Sequence, residues 1–424
     1  MRAHAAVVAA VTLTGLLVAP SSAVGVAGSC GGQPATIVAA SNSTTTGTEG
    51  DDVIVGHDGV TIDALGGNDL ICLDSGFVTD GLGDDSVLVT GTDASKPVAA
   101  QLGGGNDRFV GGPGDDAVDE LDDVSSGLDD VWTGAGADSV STPVDPAAPL
   151  RLVVDLGSGR DRIGIRGGAL GSSIQVQGGT GPDQLDFTPT GSGNHVVDLG
   201  GGVIASSGVQ TASFGGFEAY YLVGRSSGLQ VLGTPGPDHL TLSAKRLDVQ
   251  LGGGPDSLYL DSENSGIPKS GVIDLGADED FLDAGFVRWV VGDLARGRLV
   301  LKNSQRHRGR MALQGTERLQ AGAIRLVVLR GGSGPDWLAG YGCHIRVSGG
   351  AGPDRILANS YAQSSGCGGL VDGGPGRDHL IGGHADDVLK GGPGNDEAHG
   401  RAGTDTCRAE REFSCEAARV LPGG

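Results

Sequence analysis

Aspartate recurs every nine residues near the C-terminal end of the chain, inside four consecutive frames. The frames are 373–381 (GGPGRDHLI), 382–390 (GGHADDVLK), 391–399 (GGPGNDEAH) and 400–408 (GRAGTDTCR). Their sixth positions are Asp378, Asp387, Asp396 and Asp405, and their eighth positions are Leu380, Leu389, Ala398 and Cys407. Short carboxylates held in glycine turns are suitable ligands for a hard cation such as calcium.

The same pattern continues upstream with less regular spacing. Its aspartates are Asp52, Asp69, Asp85, Asp107, Asp116, Asp130, Asp138, Asp161, Asp183, Asp238, Asp256, Asp280, Asp336 and Asp354. A large apolar residue usually follows two positions later, as in Ile54, Phe109 and Trp132. A single copy could equally be an Asp that caps a turn through side-chain hydrogen bonds. So many copies with apolar phasing favour cation ligation.

The frame has a physical interpretation as half of a coil. Glycines allow positive φ and sharp turns, and the three residues after the Asp form a short strand whose apolar residue faces inward. Calcium takes six to eight oxygen ligands, which one turn cannot supply but two turns stacked one coil apart can. We therefore expect Asp378 to stack on Asp396 and Asp387 on Asp405. Without a cation, such carboxylates would repel each other.

The chain resembles the repeats-in-toxin (hemolysin-type calcium-binding) family over roughly residues 47–408. The resemblance implies an all-β, right-handed parallel β-roll or β-helix solenoid with Gly/Asp-rich turns. It also implies calcium as the cofactor, bound by the eighteen aspartates named above and by turn carbonyls. Ala385 departs from the glycine pattern of its frame. Frame 199–206 carries Ile204 where Asp belongs, so we assign it no site.

The spacing of the motifs divides the chain into blocks. In the middle, the steps are 18 or 24 residues, and Asp238, Asp256 and Asp280 recur 98 residues later as Asp336, Asp354 and Asp378. There we expect one calcium-binding edge and an ion-free opposite edge. The predicted segments are a signal peptide (1–27), an N-terminal spacer or cap (28–46), a first repeat block (47–140), degenerate middle repeats (141–372), a tandem array (373–408) and a C-terminal disulfide hook and tail (409–424).

Composition agrees with a thin, acidic solenoid. The chain has 80 glycines among 424 residues and is only 4% aromatic, so its core must consist of Val, Ile and Leu. The net charge is −23, and ten of the 52 acidic residues are Glu. A solvated acidic surface would use both acids, whereas the excess of Asp indicates carboxylates held in turns.

The N-terminus and the cysteines predict export. Arg2 and His4 precede an apolar run at 5–19 and small residues, which is typical of a signal peptide cleaved after Ala23 or Ala27. An oxidising compartment favours disulfides among the six cysteines. We predict Cys30–Cys72, Cys343–Cys367 and Cys407–Cys415. A lipid-modified Cys30 is the weaker alternative, because the preceding residues match a lipobox poorly.

No catalytic motif emerges from the sequence. It contains no GxxxxGK[ST] or HExxH, so we predict a non-enzymatic protein that binds no nucleic acid and has no transmembrane segment in its mature chain. His239 and His379 occupy the variable seventh position and are interpreted as exposed surface. Residues 288–330 hold ten of the 29 basic residues, which predicts either solvated coil tips or contact with a cell-surface polysaccharide or another surface protein. A β-helix enzyme acting on an acidic polysaccharide is the alternative.

Overall fold

The computed structural model describes residues 28–416 except 121–126, 143–150, 167–171, 190–192, 262–265, 304–306 and 361–366. The predicted signal peptide and the residues after 416 therefore lie outside the described part. Every regular element within it is a β-strand, which agrees with the predicted all-β class.

The strands are mostly three to five residues long, as the spacing of the glycine turns requires. The first twenty are β1 Ser29–Cys30, β2 Gln33–Pro34, β3 Ile37–Ala39, β4 Thr44–Thr46, β5 Val53–Gly56, β6 Val60–Asp63, β7 Leu70–Leu73, β8 Gly76–Thr79, β9 Ser86–Val89, β10 Val98–Leu102, β11 Arg108–Val110, β12 Ala117–Glu120, β13 Asp129–Trp132, β14 Ala135–Gly136, β15 Ser139–Ser141, β16 Arg151–Asp155, β17 Ser158–Gly159, β18 Arg162–Arg166, β19 Ser173–Gln177 and β20 Gln184–Thr188. The others are β21 Asn194–Asp198, β22 Val203–Ser206, β23 Val209–Gly215, β24 Ala219–Leu232, β25 His239–Gln250, β26 Ser257–Leu260, β27 Ser270–Asp274, β28 Phe281–Asp293, β29 Arg298–Lys302, β30 Arg308–Gln314, β31 Arg318–Arg330, β32 Trp337–Gly342, β33 His344–Ser348, β34 Arg355–Ser360, β35 Gly368–Asp372, β36 His379–Ile381, β37 Val388–Lys390, β38 Glu397–His399, β39 Thr406–Arg408 and β40 Arg411–Phe413.

Parallel pairing between successive coils builds two stacks of strands. Stack A begins with β3, β5, β7, β9, β11, β13, β16 and β19, and ends with β33, β35, β37 and β39. Stack B begins with β4, β6, β8, β10, β12, β15, β18 and β20, and ends with β32, β34, β36, β38 and β40. The chain is therefore a parallel β-solenoid.

Repeat position eight supplies the core between the two stacks. In stack A, Ile54, Ile71, Val87, Phe109 and Val131 pair in register and are all buried. In stack B, the equivalent line ends with Leu338, Ile356, Leu380 and Ala398. Each coil thus buries its apolar residue directly on the next one, as the low aromatic content requires.

The middle of the chain departs from this scheme in two ways. Four long strands, β24, β25, β28 and β31, continue around one corner and belong to both stacks. Two antiparallel insertions, β21–β22–β23 and β28–β29–β30, interrupt the otherwise parallel order. Frame 199–206 lies in the first insertion, where Ile204 is fully buried, so this frame forms no aspartate turn.

All three predicted disulfides form, and they occupy the ends and one internal coil step. Cys30–Cys72 fixes the antiparallel hairpin β1–β2 against the outer side of stack A, with Cα atoms 5.5 Å apart. Cys343–Cys367 and Cys407–Cys415 have Cα separations of 4.5 Å and 5.8 Å. Because its thiol is used in the first bridge, Cys30 is not available for a lipid.

Candidate metal centre

Each repeat turn holds its aspartate beneath the glycine that opens the turn. A Cβ at Gly391 would collide with Oδ2 of Asp396, and a Cβ at Gly394 would collide with the carbonyl oxygen of Gly376 in the preceding coil. The neighbouring Gly392 has a φ of 114°, which L side chains rarely adopt. The glycine spacing is therefore required both by the carboxylate and by the close stacking of turns.

A repeated hydrogen bond links the turns along the solenoid. The backbone N–H of Asp378 donates to Oδ1 of Asp396 at 2.9 Å, and that of Asp387 donates to Oδ1 of Asp405 at 2.8 Å. Both predicted stackings therefore occur. The same bond, between 2.7 and 2.9 Å, joins Asp52 to Asp69, Asp69 to Asp85, Asp85 to Asp107, Asp116 to Asp138, Asp138 to Asp161, Asp161 to Asp183, Asp238 to Asp256, Asp256 to Asp280, Asp336 to Asp354 and Asp354 to Asp378.

These bonds form two carboxylate ladders at opposite edges of the solenoid. Ladder A precedes the strands of stack A and contains Asp52, Asp69, Asp85, Asp107, Asp129, Asp387 and Asp405. Ladder B precedes the strands of stack B and contains Asp116, Asp138, Asp161, Asp183, Glu218, Asp238, Asp256, Asp280, Glu317, Asp336, Asp354, Asp378, Asp396 and Glu410. Both edges carry aspartates in the tandem array, as predicted.

The second carboxylate oxygen, Oδ2, occurs in two states. In five aspartates it accepts a backbone N–H from its own turn, four residues earlier: Asp52, Asp116, Asp238, Asp336 and Asp387. In twelve others it is buried without a hydrogen-bond partner: Asp69, Asp85, Asp107, Asp138, Asp161, Asp183, Asp256, Asp280, Asp354, Asp378, Asp396 and Asp405.

The two states follow the position of the aspartate in its run. Each of the five self-bonded aspartates is the first of a run, because the preceding coil has no repeat aspartate on the same edge. Each of the twelve follows a coil that carries an aspartate turn on the same edge. The unpartnered oxygens therefore lie where two repeat turns face each other. Stacked turns offer carboxylate and carbonyl oxygens, which are the ligands that calcium prefers.

Burial makes these carboxyl groups hard to ionise without a cation. It raises the pKa of Asp107, Asp138, Asp256 and Asp354 to about 7, and neighbouring carboxylates raise these values further. It raises the pKa of Asp85, Asp161, Asp280 and Asp387 to about 6. Near neutral pH the metal-free turns thus retain part of their protons, and a divalent cation would replace them.

Glutamates end the runs of ladder B, and the sequence reasoning did not identify them as members. Oε2 of Glu218 accepts the N–H of Asp183 at 2.8 Å, Oε2 of Glu317 that of Asp280 at 3.1 Å, and Oε2 of Glu410 that of Asp396 at 2.8 Å. The longer side chain reaches the ladder from a turn without the glycine motif. A signal existed for two of them, because Glu218 and Glu317 are 99 residues apart, close to the period of the middle repeats.

Asp80 is a further carboxylate that the repeat pattern did not reveal. It stands at the first position of frame 80–88, where most frames have glycine. Oδ1 accepts the N–H of Gly103 at 2.7 Å, while Oδ2 is buried without a partner. Burial, followed by the nearby Asp107 and Asp85, raises its pKa well above the ordinary value. Carboxylate oxygens of Asp80, Asp85 and Asp107 lie within 4.8 Å of one another, so three acidic side chains are clustered at this turn of ladder A.

The structure places seventeen of the eighteen predicted aspartates in the two ladders. The prediction was wrong for Asp130, because its neighbour Asp129 is the ladder residue. Asp129, not Asp130, accepts the N–H of Asp107 at 2.9 Å and is buried. Asp130 is the second residue of β13 and pairs in register with Arg108, the first residue of β11. The frame is shifted because Val131, rather than the more conspicuous Trp132, is the buried apolar residue. Trp132 instead lies outside, with the Arg108 guanidinium 5.0 Å from its ring centroid.

Comparison with known proteins identifies the repeats. The family model of the RTX calcium-binding nonapeptide repeat matches residues 101–119, 328–356 and 372–407. The chain contains RTX-type calcium-binding repeats. The matched segments include Asp107 of ladder A and Asp116, Asp354, Asp378 and Asp396 of ladder B.

A similar solved structure is an X-ray crystal structure of a hyperactive, Ca²⁺-dependent, β-helical antifreeze protein from an Antarctic bacterium. This RTX-type chain is 16% identical to it, with 86% of this chain and 82% of that chain covered and a TM-score of 0.21. No curated protein matches the sequence. Within its described residues, the RTX-type chain has no helix that could cross a membrane.

Proposed function

We propose that this protein is a secreted, non-catalytic rod that folds when its ladders bind calcium and that serves a structural or adhesive role at a surface. The observation that carries the proposal is the set of twelve buried, unpartnered carboxylate oxygens between stacked turns. An ionised carboxylate buried without a partner is strongly destabilising. A cation shared by two turns removes that cost and joins neighbouring coils, so that its binding energy contributes to folding.

Three features support folding outside the cell. The three disulfides need an oxidising compartment, and the N-terminal 27 residues have the pattern of a signal peptide. The net charge of −23 opposes compaction while calcium is scarce. Extracellular calcium modules bind at about 10⁻⁴–10⁻³ M, so export would precede folding.

A calcium titration followed by circular dichroism tests the proposal. Calcium-depleted protein should have a much weaker β signal than calcium-loaded protein, and the signal should return cooperatively over the submillimolar to millimolar range. Magnesium at the same concentrations should restore less of it, because Mg²⁺ demands octahedral geometry and gives up its waters reluctantly. An unchanged spectrum and melting temperature after depletion would refute a role of calcium in folding.

The adhesive part of the proposal rests on a basic face of stack A. It consists of Lys245, Arg246, Lys269, Arg298, Arg308 and Arg310, all exposed. In-register pairing aligns Arg246, Ser270 and Arg310 across β25, β27 and β30, and β29 continues the face. In a chain of net charge −23, such a concentration of positive charge fits an acidic polysaccharide at a surface.

Other basic residues of segment 288–330 serve the fold instead. Arg296 and Arg330 are 3.0 and 3.4 Å from the buried Asp293 carboxylate. Arg318 lies over the rings of Phe281 and Trp337, and Lys302 over that of Trp289. Four of the ten basic residues therefore have partners within the fold. We limit the proposed polysaccharide-binding site to the basic face.

Binding to a sulfated or uronic-acid polysaccharide tests the basic face. Arg246→Gln, Arg308→Gln and Arg310→Gln together should weaken binding of the calcium-loaded protein and lower its salt dependence. The matched control replaces the exposed Arg346, Arg377 and Arg401 with Gln, which removes the same charge elsewhere. Equal loss in both triple variants would show a non-specific charge effect and contradict the assignment.

The alternative of a polysaccharide-cleaving enzyme has less support. Asp293, which two arginines contact, is almost completely buried and cannot reach a substrate. His195, Arg246 and Asp248 line a cavity of about 70 Å³, which is small compared with the roughly 300–1,000 Å³ of ligand pockets. Incubation with acidic glycans, followed by an assay for new reducing ends, distinguishes the two functions.

A further inference from the structure

A cluster of nitrogen and oxygen ligands lies on the outer side of stack B, away from the calcium ladders. His379 on β36 and Glu397 on β38 occupy the same repeat position in neighbouring coils and pair in register. His399 follows Glu397 by two residues on β38, so both side chains point to the same side of the strand. The nonapeptide repeat thus brings two imidazoles and one carboxylate to adjacent positions.

The three groups converge on one point. Oε1 of Glu397 is 2.7 Å from Nε2 of His399 and 3.8 Å from Nε2 of His379. One ligand atom from each residue lies within 4.8 Å of the other two. Bonds of 2.0–2.2 Å to a central metal separate tetrahedral ligands by roughly 3.3–3.6 Å, so small side-chain adjustments suffice.

Neighbouring residues orient two of the three ligands. A guanidinium N–H of Arg411 donates to Oε2 of Glu397 at 2.8 Å, which directs Oε1 toward the histidines. The His399 ring stacks on Phe413, with centroids 4.6 Å apart and planes 10° from parallel. Such outer contacts are typical of metal-binding His and carboxylate groups, because they fix the direction of the ligand atom.

We propose that His379, Glu397 and His399 form a binding site for a divalent transition metal, with zinc as the best match. Two imidazoles and one carboxylate are the ligands of tetrahedral zinc sites that keep a fourth position open. The side chains are 36%, 25% and 33% exposed, so that position faces solvent. The nitrogen donors separate this site from the all-oxygen ladders, which suit calcium.

The site also joins two coils that already share ladder B. His379 directly follows Asp378, and Glu397 directly follows Asp396. A metal held by both strands would link β36 to β38 on the outside of the solenoid, while the ladder links the same coils at the edge. The competing interpretation is a purely structural cluster, in which the Glu397 carboxylate only forms ion pairs with His399 and Arg411.

Titration of the calcium-saturated protein with cobalt(II) separates the two interpretations. Calcium occupies the ladders beforehand, and a tetrahedral Co²⁺ site with nitrogen ligands gives intense visible ligand-field bands. The wild-type protein should bind one Co²⁺ per chain at this site, and Zn²⁺ should displace it stoichiometrically. Further calcium should not displace it.

Substitutions assign the ligands. His379→Gln and His399→Gln should each abolish the visible bands, and Arg411→Met should weaken binding about tenfold or more through the loss of orientation. The matched control is His239→Gln, because His239 occupies the same repeat position but has Ala219 and Ser257 as in-register neighbours. Circular dichroism in calcium verifies that each variant is folded.

Two results would overturn the proposal, and a third would contradict the assignment of its ligands. One is a folded wild-type protein without tetrahedral bands at saturating Co²⁺. The other is unchanged Co²⁺ affinity in folded His399→Gln protein, which would place the metal at other residues. Bands that disappear equally in His239→Gln protein would also count against this assignment.

Discussion

The middle coils and the tandem array close the same corner of the solenoid by different means. In the middle coils, the corner opposite ladder B is formed by the continuous strands β24, β25, β28 and β31, and Val223, Ala244, Val287 and Ala323 are buried there. In the array, that corner is a glycine turn that carries Asp387 or Asp405. One region thus closes a corner with apolar packing, and the other with carboxylates that need a cation.

This difference predicts unequal dependence on calcium. The array has short three-residue strands and carboxylates at both corners, whereas the long middle strands keep one corner that is independent of metal. Stability in a solenoid is approximately a sum of local terms, so the two regions should respond separately.

Removal of calcium should have the largest effect. In hydrogen-exchange mass spectrometry, peptides from 373–408 should lose protection first and most completely on calcium depletion. Peptides from 219–250 and 318–330 should keep measurable protection, because their apolar corner remains. Uniform loss along the chain would show that the corners do not differ in this way.

A change of pH should shift the melting temperature of the metal-free and the calcium-loaded protein in opposite directions. The buried aspartates whose pKa is raised to about 6 or 7 are protonated in the metal-free fold, so their contribution to stability is complete below pH 4. It is lost as the pH rises through 6 to 7. Metal-free protein should therefore melt at a higher temperature at pH 5 than at pH 8.

Calcium-loaded protein should melt in the opposite order, because the bound carboxylates must be deprotonated. The measurement is a pair of thermal melts at each pH, with calcium removed by a chelating resin. The same pH trend in both forms would mean that these carboxyl groups do not bind the metal.

Substitution of two ladder residues should affect the array alone. Asp378→Asn with Asp396→Asn keeps the Oδ1 acceptors of the ladder but removes two charged ligands, so about two calcium ions should be lost from the stoichiometry. The control, Asp372→Asn with Asp386→Asn, makes the same change in charge outside the ladders. Isothermal titration calorimetry gives the number of ions, and an equal loss in both proteins would contradict the assignment.

A cavity in the middle should be the smallest of these perturbations. Leu319 is fully buried in β31 between Leu282 and Leu338. Leu319→Ala should lower the free energy of unfolding in calcium by about 2–5 kcal/mol and leave the calcium stoichiometry unchanged. Urea denaturation and calorimetry measure the two quantities, and a large loss of bound calcium would show that core and ladder are coupled there.

The repeat phase determined most of what the sequence could predict. Asp at position six and an apolar residue at position eight are local requirements of one turn and one strand, so both ladders and the core followed from them. The disulfides followed from coil steps and from the position of the chain ends.

The features that the sequence did not predict depend on how distant coils stack on one another, which no local repeat pattern encodes. Glu218 and Glu317 enter ladder B because the insertions lengthen the path between paired turns to 35 and 37 residues, which places them over Asp183 and Asp280. The antiparallel hairpins within those insertions have no turn motif of their own. Asp130 was misassigned because Trp132, two residues later, was taken as the buried apolar residue of the repeat. The smaller Val131 fills the core instead, so the ladder residue is Asp129.

The residues that begin and end each run of ladder B have a consequence for how cooperatively the rod binds calcium and unfolds. Each run opens with an aspartate that is satisfied within its own turn and closes with a glutamate. Next to Glu218, Phe214 packs against Phe217 and Tyr220, with ring centroids 6.4 and 6.0 Å apart. Treated as a one-dimensional lattice, the rod would have boundaries at Glu218 and Glu317, across which strand pairing couples neighbouring coils and we expect no shared ion. Loss of metal from one block would stop at such a boundary, so the molecule would titrate as a few independent blocks rather than as one.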